Sequence, residues 1–159
     1  MRTDTMVEGM VGGTIGAIAV AVWFLLIDVS TGQALRTPAL LGATLFEGLP
    51  DPGTVHITVR VVFEYTLFHW IAFLAFGLMA AGLLGASDRE PRLLFVVFML
   101  FCCFEVLALA LIAVLAEWLF EMVPWWTVVA GNVFATLSML RFFLGRHRMA
   151  LHEFLNEAG

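Results

Sequence analysis

Four long apolar stretches, separated by short polar segments, make up most of the chain. Each is close to or longer than the roughly 20 apolar residues that a helix needs to cross a bilayer. The strands of a membrane barrel would be shorter and would alternate polar with apolar residues, so the pattern predicts helices. The stretches are Met10 to Ile27, about Val61 to Ala86, Leu93 to Ala116, and about Val123 to Leu140.

We therefore expect an all-α integral membrane protein that folds as a single domain, residues 1–159. The first apolar stretch has no clear cleavage site after it, so we expect it to be retained. Beyond the last span, few helix breakers are present, and a helical tail that leaves the bilayer is predicted. The four transmembrane helices are placed at about 10–28, 58–86, 93–116 and 123–144, and the tail at about 145–157.

The connection between the first two spans contains a shorter apolar segment, Ala39 to Phe46. It follows Thr37 and Pro38, a pair typical of an N-cap followed by proline at the first helical position. Gly48 is expected to end it. Because the segment is too short to span, we predict a short interfacial helix at about 38–47 in this first outer loop. A hydrophobic plug that covers the outer end of the bundle is the alternative.

The positions of the arginines predict the orientation of the helices. If the helices alternate in direction, Arg36 and Arg60 fall on one side of the membrane and six arginines on the other. These six are Arg2, Arg89, Arg92, Arg141, Arg146 and Arg148. Because arginine favours the cytoplasmic side, we expect both termini in the cytoplasm, and we place the protein in a bacterial inner membrane. Trp118, Trp125 and Trp126 then form an aromatic belt at the outer interface.

The composition of the chain excludes a soluble fold. It is 62% hydrophobic and 13% charged, whereas soluble domains average about 45–50% and about 25%. A folded domain of this size cannot bury so much apolar surface. The formal net charge is −5, so nucleic acid is not expected as a partner. The expected partners are membrane lipids and either other membrane subunits or further copies of the chain.

Small residues recur at intervals of four on the first two predicted membrane helices. This spacing allows two helix backbones to approach closely. Packing within one four-helix bundle is one interpretation, and contact with another chain is the other. The helix-packing residues are Gly9, Gly13 and Ala17, then Gly12 and Gly16, and finally Gly77, Ala81 and Gly85.

Glu105 lies near the middle of the third apolar stretch. A carboxylate there costs several kcal/mol unless it is paired, hydrated or protonated. Antiparallel helices would bring His69 and Asn132 within about one helical turn of it in depth. Tyr65 lies one turn from His69 on the same helix face. The sequence thus predicts an intramembrane polar cluster of these four residues, which is either a functional site or a hydrogen-bonded contact between helices.

The remaining side chains limit the other sites that one chain could form. A bis-histidine haem needs two histidines at one depth, and only His69 lies inside the predicted bilayer. Zinc would need three or four ligands, and His69 with Glu105 supplies two. Cys102 and Cys103 point about 100° apart on a helix and are interpreted as packing residues. No catalytic residue, metal site or cofactor is assigned.

Three functions remain open at this point. We favour a non-catalytic accessory or structural subunit of a larger membrane complex, because ionisable groups are few and small-residue faces are extensive. The alternative is a small proton, ion or solute transporter that uses the Glu105, His69 and Asn132 side chains, since intramembrane acids and histidines commonly mark such paths. A haem- or quinone-binding protein completed by oligomerisation is the second alternative, and an enzyme is not expected.

Overall fold

The computed structural model of the chain describes residues 3–48, 56–87, 93–115 and 123–146. This described part contains five α-helices and one π-helical turn, and no strand occurs in it. The α-helices are α1 (Thr3–Ser30), α2 (Arg36–Gly42), α3 (Val59–Ser87), α4 (Leu93–Leu115) and α5 (Trp125–Arg146), and the π-helical turn after α2 is Ala43–Glu47.

Within the described residues, three helices are long and apolar enough to cross a membrane. The candidate spans are Asp4–Ser30, Val59–Ala86 and Trp125–Arg146, and α4 contains a shorter apolar stretch, Phe95–Leu107. The all-helical fold expected from the sequence is confirmed, and the three candidate spans support a membrane protein. The expected outer Trp118, the connections 88–92 and 116–122, and the tail 147–159 lie outside the described residues.

Helix α1 begins at Thr3, well before the apolar stretch that predicted it. The segment from Thr3 to Glu8, in which four of six residues are polar, belongs to the same helix, and Asp4 lies in its first turn. An acidic side chain is favourable there because it complements the positive end of the helix dipole. The apolar residues therefore locate the part of this helix that fits a membrane, but they do not locate its first residue.

Helices α1 and α3 pack so closely that their backbones touch. A Cβ atom at Gly13 would collide with the backbone carbonyl of Phe73, and one at Gly77 would collide with the backbone of Gly9. The residue numbers in contact fall along α3 as they rise along α1, so the two helices are antiparallel. Gly9 and Gly13 of α1 thus face Gly77 of α3 within one chain, whereas a Cβ atom at Gly85, which belongs to the same predicted pattern, would meet only Thr5 at 3.9 Å.

A different face of α1 receives large side chains from α5. The ring of Phe143 lies where a Cβ atom at Gly12 would stand, and the Met139 sulfur does the same at Gly16. Both side chains are almost fully buried. Near the other end of α1, the Trp23 indole donates a hydrogen bond of 2.9 Å to the Thr127 carbonyl of α5. α1 is therefore packed between α3 and α5.

Helix α4 is attached to α3 through aromatic rings and not through glycines. Phe76 of α3 packs edge-on against Phe101, with ring centroids 4.9 Å apart, and tilted against Phe104 at 4.4 Å. Phe73 also meets Phe104 edge to face at 5.5 Å. These rings extend the buried core of α1, α3 and α5 towards α4.

The first turn of α2 is fixed by an acid from α1. Thr37 was expected to be the N-cap, and this expectation is wrong: the helix begins at Arg36, preceded by Leu35 in the left-handed conformation (φ 66°). Asp28, which is buried, accepts the Thr37 N–H at 2.8 Å and the Thr37 hydroxyl at 2.6 Å. A carboxylate nine residues away therefore does the capping that the local motif was expected to do.

The rest of α2 and the π-helical turn lie against the beginning of α3. Ala39 and Leu40 are buried, and a Cβ atom at Gly42 would collide with Val61 and approach the Tyr65 side chain at 3.1 Å. Gly48 ends the segment in the left-handed conformation (φ 62°), as its position in the sequence predicted. The short helix of the first connection thus covers the α3 turn that precedes His69.

Replacing Gly13 by leucine is expected to lower the free energy of unfolding by about 1–3 kcal/mol, because the new side chain must force two backbones apart. Gly82→Leu is the matched control: it lies on α3, and a Cβ atom there would meet no described residue within 4 Å. Thermal unfolding in detergent should show a lower midpoint for Gly13→Leu and an unchanged or higher one for Gly82→Leu, since leucine is the better helix former. Equal midpoints would contradict the close contact.

Candidate functional site

The four polar residues singled out by the sequence lie on three helices. Tyr65 and His69 are on α3, Glu105 is on α4 and Asn132 is on α5. The structure brings them together as two pairs, Tyr65 with His69 and Glu105 with Asn132. Among the described residues, no hydrogen bond or ion pair joins one pair to the other.

His69 faces α1. Its Nε2 lies 3.4 Å from the backbone carbonyl oxygen of Ala17. Because a carbonyl can only accept, a hydrogen bond at this contact requires a proton on Nε2. The distance makes this a long hydrogen bond. It continues the α1–α3 contact one turn beyond Gly13.

The His69 ring is held between two other rings of α3. The Tyr65 ring is stacked on it with centroids 5.9 Å apart, and the Phe73 ring is tilted against it at 4.8 Å. Phe73 in turn meets Phe104, the residue before Glu105. Four rings therefore form a continuous row from α3 to α4. They are those of Tyr65, His69, Phe73 and Phe104, and the row ends next to Glu105.

Glu105 and Asn132 form the second pair, across the interface of α4 and α5. The Asn132 side chain lies beside the Glu105 carboxyl where α4 contacts α5. Even so, Glu105 Oε1 and Asn132 Nδ2 are both buried and neither has a partner in good hydrogen-bond geometry among the described residues. The contact places an acceptor and a donor near each other and leaves both unsatisfied. Such atoms are costly inside a protein, so this pair is the least satisfied polar site of the described bundle.

The tryptophans expected at the outer interface are exposed where the structure describes them. Trp125 and Trp126 open α5 and expose more than half of their surface. Trp23, which the sequence analysis did not select, lies at the same end and reaches Thr127. Indole rings with an apolar body and one N–H donor suit a membrane interface.

Two further polar contacts were not predicted. One is the contact of Asp28 with Thr37, and its signal in the sequence is an acid at the end of an apolar helix. Arg60 and Glu64 form an exposed ion pair at 2.9 Å, spaced i, i+4 on α3. The Arg60–Glu64 pair adds little to the free energy of unfolding because it faces solvent.

Within the described residues, no group of three or more His, Cys, Asp or Glu side chains could hold a metal ion. Cys102 and Cys103 are free and exposed on α4. They therefore contribute to the surface of the chain and not to its core.

Comparison with protein-family models, with curated proteins and with solved structures finds no match.

We expect the Glu105–Asn132 contact to hold α4 to α5. Glu105→Leu or Asn132→Leu alone should lower the free energy of unfolding by about 1–2 kcal/mol, because each leaves the other polar group without its neighbour. The double variant should lose no more than either single one, since both polar groups are then removed. Glu105→Gln keeps the shape and an amide and should match wild type. Unfolding in detergent measures all four, and strictly additive losses would show that the two residues do not interact.

Proposed function

We propose that this chain is a polytopic membrane protein with four transmembrane helices that serves as a non-catalytic subunit of a larger membrane complex. In this proposal α4 is the fourth span and the helix through which the chain meets its partner. The observation that carries the proposal is the surface of α4.

Most of the described surface of α4 is uncovered. Val97 is the one buried residue among the side chains described on this helix, whereas the apolar residues on its outer side are exposed. The exposed set is Phe95, Val96, Phe98, Met99, Val106 and Leu107, together with Cys102 and Cys103. Lipid can cover apolar side chains of this kind, so exposure alone does not distinguish lipid from a protein partner.

Glu105 favours a protein partner. Glu105 lies between the packed face and the exposed face of α4 and is only half-buried. A carboxyl group next to hydrocarbon is costly, and residues of this kind usually face the interior of a bundle. A partner helix packed on α4 would complete the cover around Glu105, and such cover is what a subunit of a complex would receive.

Transport of protons, ions or solutes is the second candidate function. The observation that favours it is the unsatisfied pair Glu105 and Asn132, because incompletely bonded polar groups in a membrane bundle are typical of transport paths. His69 and Tyr65 would extend such a path along α3.

Both termini are placed on the cytoplasmic side in this proposal. The contact of Gly12 with Phe143 brings the beginning of α1 and the end of α5 to one end of the bundle. Arg141 and Arg146 lie at that end, and Arg36 follows the opposite end of α1. The arginine excess therefore supports a cytoplasmic location for the end that carries the termini.

The subunit proposal predicts that bulk added to α4 disrupts assembly. Leu107→Trp enlarges an apolar side chain that is 65% exposed on α4, and Leu137→Trp does the same at a residue 58% exposed on α5. In mild detergent the wild-type chain should elute in a stoichiometric complex with another membrane protein, measured by light scattering and mass spectrometry of the peak. Leu107→Trp should elute alone, and Leu137→Trp should remain in the complex.

A wild-type chain that purifies alone and moves protons into liposomes would contradict the subunit proposal and support transport. Loss of the complex in both variants would contradict the assignment of the interface to α4.

The orientation is checked with reporter fusions at two places. A fusion after Gly159 should be active in the cytoplasm, and an insertion within the connection from Thr31 to Pro52 should be active outside it, because six arginines against two favour that arrangement. A Gly159 fusion that is active only outside the cytoplasm would overturn this orientation.

A further inference from the structure

One carboxyl group borders the exposed apolar face of α4. Glu105 is half-buried and stands between Phe104, which packs against α3, and Val106, which is 66% exposed. Cys102, about one helical turn earlier, is also exposed. Glu105 forms no ion pair with any described residue, and its Oε1 atom is buried without a hydrogen-bond partner there. Whatever covers this part of α4 therefore also covers an acid to which the described chain offers no cation.

The basic residues of the chain are placed away from the depth of Glu105. Lysine is absent, and all eight arginines lie outside the four apolar stretches. His69 is the one histidine within such a stretch, and its Nε2 faces the Ala17 carbonyl of α1. A second copy of this chain would bring the same side chains at the same depths. A cation that pairs with Glu105 therefore has to come from a different protein.

We propose that the partner of α4 is a different membrane protein whose transmembrane helix carries an arginine or lysine at the depth of Glu105. This inference rests on the proposed function, because it names the partner of the same surface. Charged side chains inside a bilayer are rare and typically pair with one another. The attraction between them is stronger in an apolar medium than in water, and the cation donates hydrogen bonds to the carboxylate.

The two parts of the α4 surface then have different roles. The apolar side chains supply packing, which any apolar helix of matching shape could meet. Glu105 supplies selection among partners, because a helix without a cation at that depth would leave the acid desolvated and unpaired. Selection by charge fits a subunit that must find one partner among many apolar helices.

Lipid and a purely apolar helix fit this place less well. Hydrocarbon chains and leucine side chains donate no hydrogen bond, so either would leave the carboxyl group with the full cost of desolvation. Lipid head groups carry cations, but they lie at the membrane interface. Glu105 lies within α4 (Leu93–Leu115), about 15 Å of helix or more from either end.

The test is Glu105→Gln in the full chain, purified in mild detergent with its partner. Glutamine keeps the size of the side chain and can accept and donate hydrogen bonds, but it carries no charge. We expect the complex formed by the wild-type chain to be lost at equal protein concentration, while the unfolding midpoint of the chain itself is unchanged. Glu64→Gln is the matched control, because it removes an acid of α3 that pairs with Arg60 at the surface. The complex should remain in this variant.

Mass spectrometry of the wild-type complex identifies the partner, and we expect an arginine or lysine within one of its membrane spans. Exchange of the two charges gives a second measurement. Glu105→Arg should lose the complex with the wild-type partner and regain it with a partner variant in which that basic residue is replaced by glutamate.

A complex that survives Glu105→Gln and is lost in Leu107→Trp would overturn this inference and leave the subunit proposal intact, since a neutral contact would then suffice. A partner without a basic residue in its membrane spans would have the same consequence. A wild-type chain that purifies alone would overturn both.

Discussion

The structure depends on one close contact between two backbones. Gly9 and Gly13 of α1 meet Gly77 and Phe73 of α3 so closely that a Cβ atom on any of the three glycines would collide. In hydrocarbon, apolar side chains gain little by leaving lipid, so helices associate mainly through close packing, and small residues allow it. The contact repeats once per turn, and its next step brings the Ala17 carbonyl to His69. The position of His69 therefore follows from the register that the glycines set.

The same helix supports a second kind of packing on another face. At Gly12 and Gly16 the space left by a missing side chain is filled by Phe143 and Met139 of α5. One glycine-rich helix thus holds α3 by backbone contact and α5 by insertion of large side chains. Helix α4 has neither arrangement and is held through the Phe76, Phe101 and Phe104 rings. In agreement with this difference, a larger share of the described side chains is exposed on α4 than on α1, α3 or α5.

The sequence was informative about features that depend on the residues of one helix only. Length and apolarity predicted the helices. The spacing of small residues included Gly9, Gly13 and Gly77, which lie at the close contact, but it also included Gly85, which does not. Rotation about each helix axis was not predictable, because depth in the membrane says nothing about facing. For that reason His69 and Glu105 were expected in one cluster, whereas the structure turns His69 towards α1 and Glu105 towards Asn132. The prediction of Thr37 as the N-cap was wrong for a related reason. A local motif does not include Asp28, the acid nine residues away that binds Thr37.

Asp28 and Glu105 show how differently one chain can treat a carboxyl group. Asp28 accepts two hydrogen bonds from Thr37 at the end of a helix, where the first turn of α2 supplies an N–H donor that has no other partner. Glu105 lies within a helix whose own N–H groups are already bonded, so its donors must come from a neighbouring helix. Asn132 is the neighbour, and its amide does not reach good geometry. A carboxyl group at a helix end can thus be satisfied locally, whereas one in mid-helix depends on how closely a second helix approaches.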